Sequence, residues 1–158
     1  MKISELMAGV TPNASYEGWV TADDWVLAID TKPSEGVTTE VKNYEVVQMG
    51  VEGLDANLNP VTSEKTYGTA RSFAVSGDRY IGDPAQDFML SHAMKYAKGN
   101  AAVTNYVYFC MLNGKGEKGQ VSVIVNSEGG GNAGESSSID VNLQKIGAEP
   151  AEYTYSAE

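Results

Sequence analysis

The order of apolar and polar residues predicts a chain built mainly from β-strands. Residues 25–29 (WVLAI) form a short apolar run between aspartates, as expected of a buried strand. Residues 37–51 begin with alternating polar and apolar side chains, which is typical of a strand with one wet face. The same reasoning predicts a loop at residues 52–60 and further strands at 61–75, 105–112, 120–126 and 138–146.

One helix is predicted over residues 84–98. Asp83 is a favourable N-cap, Pro84 suits the first helical position, and Gln86 completes a capping box. Gly99 is a natural terminator. One face of this helix carries the apolar and aromatic residues Ala85, Phe88, Met89, His92 and Tyr96.

These elements predict a mainly β protein: a β-sandwich of about six to seven strands flanked by one α-helix. We expect an N-terminal arm at residues 1–18, the sandwich at residues 19–147 and a C-terminal tail at residues 148–158.

The amino-acid composition excludes several classes of function. The chain has 158 residues, enough for one domain, and its 11 Lys and Arg against 21 Asp and Glu give a net charge of -10. This balance argues against a protein that grips nucleic acid by neutralising phosphates. A single Cys excludes an internal disulfide, and a single His excludes sites that need two imidazoles. The absence of a long apolar run predicts no membrane insertion, and no secretory signal is evident, so we expect synthesis in a reducing cytoplasm.

Candidate chemical sites have simpler structural explanations. Residues 113–119 contain Gly-Lys, but the next element is predicted to be a strand, whereas a phosphate loop leads into a helix. Residues 128–138 offer too few alternating Asp or Asn ligands for calcium. Ser91 and His92 are neighbours on one helix and point in different directions, which does not suit a nucleophilic triad. We therefore expect no enzyme, no cofactor and no metal.

Two features predict self-association. Residues 105–112 (NYVYFCML) are apolar on both faces, and the helix adds an apolar stripe. Together they provide more apolar surface than a small domain can bury alone. Several strands also carry a face of small polar or charged residues. A closed ring of strands from several subunits would satisfy both features, because closure removes open sheet edges. The polar faces comprise Thr38, Glu40 and Lys42; Ser72, Ala74 and Ser76; and Asp140, Asn142 and Gln144.

The sequence RSFAVSGDRYIGDPAQDFMLSHAMKYAKG (residues 71–99) resembles the signature segment of major tail tube proteins of long-tailed, siphovirus-type bacteriophages of Gram-positive bacteria. Residues 107–135 and the AEYTY of residues 151–155 are also similar to this family. The resemblance covers about three-quarters of the chain. Residues 52–68 depart from it, because this connection is shorter than in many relatives.

The resemblance implies a structural virion protein without enzymatic activity, assembled in the host bacterial cytoplasm. Six subunits would form a ring, and rings would stack into a hollow tube whose twenty-four-stranded inner barrel conducts DNA. The implied partners are further copies of the chain and the tape measure, distal tail and terminator proteins. An acidic lumen would repel DNA and let it slide during ejection. DNA would pass without specific binding.

The resemblance also implies roles for individual residues. We expect three groups, which face the lumen, pack the helix on the sandwich or on a neighbouring subunit, and contact adjacent rings. Which polar strand face points inward stays open, because a shift of one residue in register exchanges the two faces. The groups are Thr38, Glu40, Asp140, Asn142 and Gln144 for the lumen; Phe88, His92 and Tyr96 for the helix; and Glu52, Asp55, Asn59 and Glu64, with both terminal segments, for ring stacking.

Two alternatives remain at the sequence level. An extracellular carbohydrate-binding or adhesin module would use the same sandwich with exposed aromatic residues, namely Trp19, Trp25, Tyr153 and Tyr155. The chain could also form the inner tube of a contractile tail or of a phage-like bacteriocin. Such a tube would show nearly the same strand pattern, polar faces and self-association.

Overall fold

A computed structural model of the chain describes residues 1–33, 43–47, 55–62 and 69–157. Its strands form one antiparallel, seven-stranded sheet in the order β2-β1-β5-β6-β7-β4-β3. In the part described, no helix is both long enough and apolar enough to span a bilayer. The strands are β1 (Trp25–Asp30), β2 (Tyr44–Val46), β3 (Asp55–Thr62), β4 (Thr69–Asp78), β5 (Val103–Cys110), β6 (Lys115–Gly130) and β7 (Ser138–Thr154); the helices are α1 (Ile3–Leu6), α2 (Pro84–Met89) and α3 (His92–Lys95), with 3-10 turns at Ala22–Asp24 and Gly99–Ala102.

The sheet curls until its two halves face each other. The ring of Phe73 in β4 lies 5.3 Å from Tyr106 and 5.1 Å from Tyr108 of β5, although β6 and β7 separate these strands in the sheet. The long strands β6 and β7 run through both halves. The mainly β, sandwich-like fold expected from the sequence is therefore confirmed, with both layers drawn from one sheet.

A pronounced bulge marks where the long strands pass between layers. Lys118 pairs with Ala151 and Gln120 pairs with Ile146, so four residues of β7 lie opposite the single residue Gly119. Gly147, in this bulge, has a φ of +74°, a conformation that favours glycine. Such an irregularity bends the strand and increases its twist.

Both faces of β1 and β5 are covered, each by its own hydrophobic cluster. The main core lies between the two halves of the sheet and beneath α2 and α3, and its fully buried members include Phe73, Met89 and Tyr106. The second cluster lies on the opposite face of β1 and β5, where α1 contributes Ile3 and β5 contributes Phe109. This arrangement explains why residues 105–112 are apolar on both faces.

The C-terminal segment is part of the sheet rather than a separate tail as far as Thr154. Residues 151–154 pair with residues 115–118, and the ring of Tyr155 stacks on Phe109 at 5.5 Å. The sequence pattern missed this pairing because the bulge interrupts the alternation that began at Ser138.

The helix expected over residues 84–98 is divided into α2 and α3. Helix α2 ends at Leu90. Ser91 is the N-cap of α3, because its hydroxyl accepts a hydrogen bond from the Met94 amide at 3.3 Å. The break changes the helical phase, so Leu90 and Met94 join the core in place of His92 and Tyr96. Serine is a strong N-cap, and here its capping preference overrides the continuous apolar stripe.

The loop expected at residues 52–60 is wrong for residues 55–60, which belong to β3. Asn and Asp disfavour strands, but full pairing with β4, from Asp55 opposite Ser76 to Thr62 opposite Thr69, overrides that preference.

Candidate assembly surface

Strands β4 and β7 bring together two polar rows that lie far apart in the sequence. Asp140, Gln144 and Ser76 are exposed, while the residues that alternate with them, such as Val75 and Val141, are buried in the core. The predicted alternation is thus confirmed, and one face of this region is polar. The register places Ser72 opposite Gln144, Ala74 opposite Asn142, and Ser76 opposite Asp140.

Strand β6 extends this polar face on one side. Ser122 lies opposite Gln144, and Ile124 lies opposite Asn142. The Asn126 side chain donates a hydrogen bond to Asp140 Oδ1 at 3.3 Å. Ile124 is 40% exposed, which makes it an apolar residue on an otherwise polar surface. We call the face formed by the exposed or half-buried residues of β4, β7 and β6 the polar face; it comprises Ser72, Ala74, Ser76, Ser122, Ile124, Asn126, Asp140, Asn142 and Gln144.

Strand β3 continues the same sheet on the other side. Asp55 pairs with Ser76 and Asn59 pairs with Ser72. These two residues, predicted to contact adjacent rings, therefore occupy strand positions next to the polar face. Four other predicted residues, Thr38 and Glu40 of the lumen group and Glu52 and Glu64 of the stacking group, lie outside the described residues.

Two edges of this four-stranded region are open within the described chain. No described strand pairs with the outer edge of β3. On the other side β5 leaves β6 at Ser122, so no described strand flanks residues 123–130 on that edge. Unpaired edges present rows of N–H and C=O groups that can pair with another chain.

The predicted helix contacts are divided between the core and the surface. Phe88 packs against the main core. His92 is exposed, Tyr96 is 70% exposed, and their rings contact each other at 5.0 Å. Neither packs on the sandwich in the described part of the chain, so the proposed contact of these two with a neighbouring subunit stays a prediction.

A buried hydrogen-bond network organises the turn between β4 and α2. The Gln86 side chain, fully buried, accepts from the Tyr80 amide at 2.9 Å and donates to the Asp78 carbonyl at 3.1 Å. Arg79 pairs with Asp87 at 2.7 Å. Asp83 caps α2 as predicted, through its bond from the Gln86 amide, but the Gln86 side chain reaches back to Tyr80 instead of completing the capping box.

This network holds a turn whose apolar side chains point outward. Ile81 is 83% exposed and Tyr80 is 46% exposed. Neither residue was expected from the sequence to form a contact. The available signal was the pair of apolar residues within the polar turn GDRYIGD, where burial is not expected.

The aromatic residues proposed for an adhesin surface are mostly engaged within the molecule. Trp25 stacks on Tyr108 at 5.0 Å, while Tyr153 and Tyr155 pack against Phe109. Trp19 is 95% exposed. Of the four aromatic residues named for the adhesin alternative, only Trp19 is exposed.

Electrostatic contacts tie peripheral segments to the sheet. Burial raises the pKa of Glu45, but hydrogen bonds from Lys2 and the Met1 amino group outweigh it and lower the pKa below its usual value. Lys95 binds Glu128 at 2.6 Å, and this hydrogen bond raises the lysine pKa. Burial, with the nearby Asp30 and Tyr153, raises the pKa of Tyr44 to about 12.

Among the described residues no group of three or more His, Cys, Asp or Glu could hold a metal ion.

Comparisons with known proteins give a distant likeness among solved structures. No family model matches the sequence, and no curated protein matches it. Among solved structures, the chain is similar to one from the tail of an empty GTA particle computed with helical refinement and C6 symmetry. The two share 13% sequence identity over 87% of this chain and 100% of the other, with a TM-score of 0.45.

Proposed function

We propose that this chain is a structural, non-enzymatic subunit of a bacteriophage-type tail tube. Six copies form a ring, the rings stack into a hollow tube, and DNA passes through the tube during ejection. The partners of the chain are then other copies of itself and the remaining tail components, including the tape measure, distal tail and terminator proteins.

The observation that carries this proposal is the four-stranded region β3-β4-β7-β6. Its strands β4, β7 and β6 have a buried apolar face and an exposed polar face, and among the described strands the region ends in an open edge on each side. A second copy can continue the sheet at each edge, and repeating the step around an axis closes a barrel. The polar face then lines the bore, because the opposite face is already covered by the core.

The dimensions of such a barrel are compatible with DNA. Strands lie about 4.8 Å apart, so twenty-four strands give a backbone diameter of about 37 Å before strand tilt widens it. The side chains available on the polar face are mostly short, such as Ser72, Ala74 and Ser122. A bore of this kind admits a double helix without tight contact.

Charge supports passage rather than binding. Six chains of net charge -10 carry sixty formal negative charges per ring. Asp140 places a carboxylate on the polar face, and its only described side-chain partner there is the neutral Asn126. A wall that carries this carboxylate from each of six copies, and no cation on the polar face, repels phosphates and releases no counterions, so DNA slides along it.

The tube of a contractile tail or phage-like bacteriocin is the nearest second candidate, and the same open-edged region supports it equally. The two are separated by the neighbouring genes, since a contractile machine also encodes a sheath.

Electron microscopy of the purified full chain, alone and with tail initiator components, tests the proposal. We expect six-membered rings and stacked tubes. Monodisperse monomers under every condition would contradict the proposed function. The sedimentation profile of the same samples reports whether any assembly seen on the grid also exists in solution.

A further inference from the structure

Residues 123–130 of β6 contain two extra residues relative to the part of β7 with which they pair. Val125 pairs with Val141 and Ser127 pairs with Asp140, which leaves Asn126 as an extra residue in β6. A second irregularity follows between Glu128 and Gly130, with Gly129 as the extra residue. Both extra residues belong to the strand whose outer edge no described strand covers.

These two bulges change what the edge offers to a second chain. A bulge leaves one residue out of the ladder, bends its strand and increases the local twist. Gly129 has a φ of +73°, so its amide and carbonyl do not continue the extended direction of the strand. Proteins use such bulges to keep open edges from pairing with other copies.

The bulged segment is also tied to the helical layer. Lys95 of α3 binds Glu128, which lies between the two extra residues, at 2.6 Å. Helix α3 is anchored in turn by Met94, which is buried in the main core, and by the Ser91 cap. On the other face, Asn126 donates to Asp140. The edge is therefore held in its bent form from both sides.

We propose that residues 123–130 form a guarded edge, which the two bulges and the Lys95–Glu128 pair keep from pairing along its full length with a second copy of the chain. Ring closure then requires this ion pair to open and the segment to straighten. The proposal rests on the proposed function only in taking the second copy as the partner of this edge.

The test compares self-association of full-length variants by sedimentation velocity over a range of concentrations. Lys95→Gln removes the tie, and Lys98→Gln makes the same charge change at an exposed lysine three residues away. Deletion of Gly129 removes one bulge. We expect Lys95→Gln and the deletion to associate at severalfold lower concentration than the unmodified chain, and Lys98→Gln to behave like the unmodified chain. Circular dichroism verifies that each variant is folded, and Lys95→Gln alone decides the matter if the deletion does not fold.

Equal association of Lys95→Gln and Lys98→Gln, or weaker association of Lys95→Gln, would overturn the guarded edge. Electron microscopy of the associated material separates this result from the fate of the proposed function. Amorphous material that forms more readily from Lys95→Gln supports the guard and contradicts the tube. Tubes that form at the same concentration from all variants support the tube and contradict the guard.

Discussion

Gln86 is a buried polar residue in the turn between β4 and α2. Its side chain is fully buried and bridges the Tyr80 amide and the Asp78 carbonyl. A buried polar group that keeps its partners specifies one conformation, whereas loss of one partner leaves the others unsatisfied. The turn that exposes Tyr80 and Ile81 therefore depends on Gln86.

We predict that Gln86→Ala lowers the free energy of unfolding by about 1–3 kcal/mol, because it removes a buried side chain together with its hydrogen bonds to two half-buried backbone groups. Gln120→Ala, at an exposed position of β6, is the matched control and is expected to change stability by less than about 0.5 kcal/mol. Urea denaturation followed by tryptophan fluorescence measures both. Equal effects of the two substitutions would show that the network does not hold the turn.

The sequence predicted residue environments well where the pattern is local. Asp140, Asn142 and Gln144 alternate with buried residues as expected, and Asp83 caps α2. It failed for His92 and Tyr96, because the stripe assumed one continuous helix and Ser91 breaks it. It also missed the Lys95–Glu128 pair, since two exposed charges 33 residues apart leave no mark on a local pattern.

At the scale of elements, the two long strands decide the architecture. Residues 116–122 of β6 pair with β5 on one side and with the later part of β7 on the other. Residues 123–130 pair only with residues 138–143 of β7 among the described strands. Gly116 permits the first contact, since a Cβ built there would lie 1.9 Å from the Tyr108 carbonyl oxygen. The sequence predicted separate strands at residues 120–126 and 138–146 but not their full length, because glycines and Pro150 interrupt both patterns.

The N-terminal segment is held to edge strand β2 by a contact that depends on pH. The pKa of Glu45 is lower in the folded chain than its ordinary value of 4.5, because Lys2 and the Met1 amino group bind the carboxylate. As the pH falls, the unfolded chain takes up this proton first. The stabilisation is thus complete above the ordinary pKa and is lost as the pH falls through the folded pKa.

We therefore predict that the free energy of unfolding of the unmodified chain decreases as the solution is acidified below about pH 5, and that Glu45→Gln removes part of this decrease. Glu149→Gln, at an exposed site, should retain it. Denaturation curves at several pH values give the comparison. Parallel pH profiles for the unmodified chain and Glu45→Gln would mean that this carboxylate is not linked to folding.

For the whole molecule, the curl of the sheet has two consequences. It buries the apolar sides of β4 and β7 against β5, and it leaves their polar sides together on one surface. The sequence predicted both polar rows but not their adjacency, since strand order is a long-range property that period-two patterns do not encode. The resemblance of residues 71–99 to tail tube proteins supplied the expected number of subunits and the stacking of rings, which the strand pattern of one chain does not give.

At this scale we predict that Asp140→Lys, a change of twelve charges in a ring of six copies, leaves tube length normal but slows DNA delivery and makes it more sensitive to salt. Attraction between lysine and phosphate replaces repulsion in the bore. Asp23→Lys makes the same charge change at an exposed site outside the polar face and outside both terminal segments, and this variant should deliver DNA at the normal rate. Infection assays with phage that carry each variant measure delivery, and normal infectivity of Asp140→Lys would argue against its place in the bore.

A cryo-electron microscopy reconstruction of assembled tubes that resolves side chains would show most directly which surface lines the bore. We predict a closed barrel in which β3 of one copy pairs with residues 123–130 of the next, with Asp140, Asn142 and Gln144 directed toward the axis. A bore lined instead by α2 and α3, or copies whose β3 and β6 edges remain unpaired, would contradict this account.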